Sequence, residues 1–136
     1  METTRFGFKV TLPVPFDAAV TRATAALKEQ GFGVLTTIDV QATLKQKLDV
    51  DFRRYTILGA CNPPLAHRAL QADLEVGLLL PCNVVVYETS PGESVVMGIA
   101  PQEMLRGVGD APGLGGVASE ADDRLRKAMA ALEAAA

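Results

Sequence analysis

The sequence predicts an α+β fold, and three observations predict it. Residues 5–12 alternate between apolar and polar side chains, the period of a half-buried strand. Four later stretches carry apolar residues at helical spacing, the longest of them C-terminal. Ser90-Pro91-Gly92-Glu93 reads as a tight turn between two apolar strands, which makes a hairpin and so at least one antiparallel pair.

The elements follow in order. In the first strand Phe6, Phe8, Val10 and Leu12 share one face, and Pro13 and Pro15 end it. Asp17 is an N-cap candidate for a first helix with Val20, Ala23 and Leu27 on its stripe, and Gly31 stops it. A second strand covers about Phe32 to Ile38. Asp39 is the cap of a short helix, Val40 to Leu48, with Leu44 and Leu48 on one face. A third strand, Arg54 to Ala60, is rich in Tyr, Thr, Ile and Leu. Asn62-Pro63-Pro64 starts the next helix: Asn caps, and proline at the first helical position lacks an N–H that would be unpaired anyway. Leu65, Ala66, Ala69, Leu70 and Leu74 form its apolar arc. Asn83 to Thr89 and Ser94 to Ala100 are the hairpin strands. The glycine-rich stretch Gly107 to Gly116 reads as a connector, because it has neither a lysine nor the spacing of a phosphate cradle. The last helix spans about Val117 to Ala134, with Ala121, Leu125, Ala128 and Leu132 in line.

The chain has 136 residues, the size of one domain, so 1–136 is expected to be a single unit. Thirteen basic against sixteen acidic side chains give a net charge of −3, which argues against a nucleic-acid partner. The longest apolar run, Val76 to Val86, is broken by Pro81, Cys82 and Asn83 and is too short for a bilayer, so no membrane partner is expected. The N-terminus lacks the basic start and apolar stretch of a signal peptide, which points to a cytoplasmic protein. Two cysteines are too few for a disulfide scaffold.

Three stretches, Gly31-Phe32-Gly33-Val34-Leu35 with Ile38-Asp39-Val40, Leu58-Gly59-Ala60-Cys61-Asn62-Pro63, and Leu79-Leu80-Pro81-Cys82-Asn83-Val84-Val85-Val86, resemble the DUF302 family in order and spacing. The resemblance covers nearly the whole chain. It implies a β-α-β4-α fold of the TATA-binding-protein-like class, an antiparallel five-stranded sheet wrapped around a long C-terminal helix. Here an extra helix lies between strands three and four. The family brings no biochemical activity with it. Its pattern has Asp-Pro after the last strand, where this chain has Ala100-Pro101.

One constellation carries chemistry. Cys61 ends the third strand just before the Asn62 cap, where a helix N-terminus favours a thiolate. Cys82 opens the fourth strand. In the antiparallel sheet that the resemblance implies, these two strand ends share a rim. His67, the only histidine, lies nearby on the intervening helix at the edge of its apolar arc. Asn62 and Asn83 each follow a cysteine. Cys61, Asn62, His67, Cys82 and Asn83 are therefore the candidate rim of a small-molecule pocket. Three readings of the cysteines stay open: small buried residues, a reactive pair with Cys61 as nucleophile and Cys82 as resolving thiol, or, with His67, three ligands of a zinc-like site. The function expected is a binding module, with a thiol-based redox or transfer enzyme and a homodimeric interaction protein as alternatives. The homodimer is expected because Val95-Val96-Met97-Gly98-Ile99 is apolar on both faces, and an exposed strand of that kind needs a cover.

Overall fold

The computed structural model describes residues 1–104 and 113–135. In chain order the strands are β1 (Glu2–Thr3), β2 (Gly7–Leu12), β3 (Gly33–Asp39), β4 (Tyr55–Cys61), β5 (Cys82–Ser90) and β6 (Glu93–Ile99). The helices are α1 (Phe16–Glu29), α2 (Val40–Leu48), α3 (Pro63–Ala72), α4 (Pro101–Met104) and α5 (Leu114–Ala135), with a 3-10 helix at Leu74–Leu79 after α3.

The strands form one antiparallel sheet in the order β1-β2-β6-β5-β4-β3. It has six strands rather than five, because the two-residue β1 is too short to leave a period in the sequence. The hairpin is as expected, with Ser90 paired to Glu93. β6, however, is not an exposed strand. Both of its edges are hydrogen-bonded, to β2 and to β5, so the apolar Val95–Ile99 run reflects an interior position.

One face of the sheet carries α1 and α5, which also pack on each other. Phe8, Val10 and Leu12 of β2 meet Ala19, Ala23 and Leu27 of α1 and Leu125, Ala128 and Leu132 of α5 in the main core. Phe6 is not part of it. The strand begins at Gly7, where an added Cβ would run into the Gly98 carbonyl across the β2–β6 ladder, and Phe6 is left 67% exposed with Arg5 stacked over its ring at 5.4 Å. Val84, Val86, Leu58 and Ala60 complete the sheet's inner side.

Other differences are local. Helix α1 starts at Phe16 after Pro15, so Asp17 lies in its first turn, where it pairs with Arg54 at 2.7 Å instead of capping. Asp39 does cap α2, accepting from Ala42 N at 2.9 Å. No residue of α2 is buried, and Leu48 is exposed. Leu74 falls outside α3, on the 3-10 helix, and is 84% exposed. Helix α5 starts at Leu114, so Gly115 and Gly116 are helical. The rest of the expected connector, 107–112, lies outside the described residues.

Candidate functional site

Segment 62–81 leaves the sheet at the end of β4 and returns at the start of β5. Asn62 begins it and is buried. Its Oδ1 accepts from Leu65 N at 3.3 Å, the expected cap. Its amide donates to the Gln30 carbonyl at 3.4 Å, at the C-terminal end of α1. Arg124 of α5 donates to the same carbonyl at 3.2 Å. Three helices thus meet at one peptide oxygen.

Helix α3 does not lie on the sheet. Leu65, Ala69 and Val76 form a second, smaller cluster with Leu114, Val117 and Ala121 of α5. Between this cluster and the main core is a cavity of about 40 Å³. Ala66 and Ala69 of α3 face Ala118 and Ala121 of α5 across it. Short side chains on both helices leave space that leucines would fill, which explains the void. Phe32, Ala60 and Cys82 close the sheet side.

Of the residues read from the sequence, Cys61, Asn62 and Cys82 border this cavity, and His67 and Asn83 do not. Register explains Asn83. Ala60 pairs with Cys82 and Gly59 with Asn83, so Cys82 points inward and Asn83 leaves through the opposite, open face. His67 is one residue beyond Ala66, about 100° around the helix, and points to solvent. No group of three or more His, Cys, Asp or Glu side chains among the described residues could hold a metal ion, so Cys61, His67 and Cys82 are not assembled as a zinc-like site.

The thiol chemistry changes too. Burial pushes Cys61 up from its ordinary value, the opposite direction to the one expected from the helix end. Burial, reinforced by the neighbouring Cys61, pushes Cys82 up to about 11. Both are free thiols. Because Cys61 follows Ala60 and Ala60 is the partner of Cys82, the two thiols leave the sheet on opposite sides.

The apolar walls were missed in the sequence. The available signal was the pairing of alanines three apart in two helices, Ala66 with Ala69 and Ala118 with Ala121.

The sheet with its two covering helices, and the α3 excursion between β4 and β5, define an α+β domain with a small apolar cavity at one end of its sheet. The family model described as "Domain of unknown function DUF302" matches residues 8–132, and the chain belongs to that family. A solved relative is the crystal structure of an uncharacterized conserved protein DUF302 from Bacillus stearothermophilus. It is 33% identical, with a TM-score of 0.81, and the match covers 93% of this chain and 98% of that one. No curated protein matches the chain. Among the described residues no helix is long and apolar enough to cross a membrane.

Proposed function

We propose that this chain is a small binding module that takes a compact apolar molecule, or the aliphatic end of a larger one, into the cavity between the sheet and helices α3 and α5. The observation that carries this reading is the cavity's lining, which is apolar side chains on every wall and has Asn62, Cys61 and Cys82 at its border. Apolar cavities of this kind stay dry and accept apolar guests. Asn62 spends its side chain on α3 and Gln30, so it shapes the border rather than offering the guest a free hydrogen bond. A guest that binds only the folded state raises stability in proportion to the logarithm of its concentration above Kd. Thermal melts under increasing xenon pressure test this: a melting temperature that keeps rising with the logarithm of the pressure supports the reading, and an unchanged one contradicts it.

A second reading concerns the open face of the sheet. Ile38, Ile57, Val85 and Met97 lie in one cross-strand row over β3, β4, β5 and β6. Tyr55 and Tyr87 stack beside it with ring centroids 5.6 Å apart. Among the described residues no helix covers this row, and Ile38 is exposed. A homodimer joined through this face accounts for a half-buried apolar row better than a cover over Val95–Ile99 alone. Sedimentation at tens of micromolar should give a dimer, and Val85→Lys a monomer; a monomeric wild-type chain contradicts this reading.

A further inference from the structure

The cavity is closed on one side by a segment that does not belong to the main core. Residues 63–80 bury Leu65, Ala69 and Val76 against Leu114, Val117 and Ala121, while the sheet, α1 and the rest of α5 share the larger cluster. Leu74 and Leu78, on the 3-10 turn, point away from both and are exposed. Among the described residues the segment's polar attachments are few. At its start Asn62 is tied to Gln30 at 3.4 Å. Further along α3, Arg68 Nη1 lies 3.6 Å from Glu120 Oε1 of α5. Glu120 Oε2 lies 3.6 Å from Arg124 Nε, and Arg124 reaches the Gln30 carbonyl. Glu120 therefore stands between α3 and the anchored end of α1.

We propose that residues 63–80 form a lid over the apolar cavity. It opens as a unit while the sheet stays folded, and the Arg68–Glu120 pair is its clasp. This inference rests on the cavity being the binding site. A space of about 40 Å³ admits only a few heavy atoms, so a larger guest fits only when a wall moves. The wall held by the smaller buried cluster is the one that opens at least cost, and sub-global openings of such units lie well below the free energy of full unfolding. Asn62, held by both its oxygen and its amide, is the fixed end. Arg68 is on the free part.

Cys82 reports on the lid without any ligand. It forms part of the cavity wall and is 7% exposed. In a Cys61→Ser background it is the sole thiol, and a cooperative denaturant melt of that variant shows that the fold is retained. Alkylation of Cys82 by iodoacetamide is then timed over a series of low urea concentrations at fixed pH. The lid predicts a rate whose urea dependence is well below that of global unfolding, because opening exposes little surface. It also predicts that Glu120→Gln speeds labelling about two- to five-fold, the size of one exposed ion pair, and that Arg68→Gln adds nothing in the Glu120→Gln background. A urea dependence equal to that of global unfolding overturns the lid. So does a labelling rate that Glu120→Gln leaves unchanged. Because no guest is present, these outcomes stand apart from the xenon melts that test the binding site itself.

Discussion

Asn62 and Gln30 are 32 positions apart in sequence, yet the Asn62 amide donates to the Gln30 carbonyl at 3.4 Å while the Asn62 oxygen caps α3. One side chain thereby ends one helix and begins another. Next to it Gly31 has φ +86°, a conformation that favours glycine, and a Cβ there would meet the Asn62 amide nitrogen at 2.9 Å.

Asn62→Ala removes both bonds and should destabilise the protein by about 1–2 kcal/mol, the upper range for a lost cap. Asn62→Asp keeps the capping oxygen and loses only the donor to Gln30, so its loss should be smaller. Urea melts of the two variants check the order. Equal losses would mean that the cap contributes nothing.

Leu125 is 0% exposed and sits among Phe8, Val10 and Leu132. Leu125→Ala should cost about 2–5 kcal/mol, as for other buried leucines. A loss under about 0.5 kcal/mol, the size of a surface change, would mean that α5 is peripheral to the core.

The Cys82 thiol makes stability depend on alkaline pH. Its folded pKa, pushed up to about 11, lies above the ordinary thiol value. Below the ordinary value both states hold the neutral thiol and no stability is lost. As pH rises from about 9 toward 11, the unfolded chain ionises first and stability falls. The loss should approach about 2 kcal/mol near pH 10.5, by linkage between the ordinary thiol value and about 11. Melts at pH 8 and 10.5 should show this fall for the wild-type chain in excess of that for Cys82→Ala, which removes the thiol but leaves the other alkaline groups. The same fall in both would place Cys82 in contact with solvent.

Gly59 is closed in by neighbours on the open face. A Cβ there would collide with Thr36 Oγ1 and come within 2.9 Å of Pro81 Cγ. Gly59→Ala should therefore destabilise, and Thr36→Ala in the same chain should recover part of the loss. Losses that simply add would show that Thr36 is not the obstruction.

The elements were legible where the signal was local. Asn62-Pro63-Pro64 and Asp39 announced their caps, and alternation announced β2. The site was legible in part, because it depends on register and on helix azimuth. Cys82 and Asn83 are adjacent, and only the pairing of Ala60 with Cys82 decides which one faces the core. Ala66 and His67 are likewise adjacent, and only helix azimuth decides which one borders the cavity. Leu74 continues the apolar spacing of α3 but belongs to a 3-10 turn, whose tighter winding turns it outward. Thiol protonation depends on burial, which residue types near a helix start do not show.

The cavity is tested most directly by filling it. Ala69 is buried in its wall, and Ala69→Leu places a larger side chain in the space a guest would occupy. Methyl NMR under xenon pressure should show saturable shifts at Leu65, Val76 and Val117 in the wild-type chain, with Val10 and Leu12 unmoved. In a folded Ala69→Leu chain those shifts should vanish. Shifts that grow linearly with pressure at all methyls, or that persist unchanged in Ala69→Leu, would contradict a binding site between the sheet and helices α3 and α5.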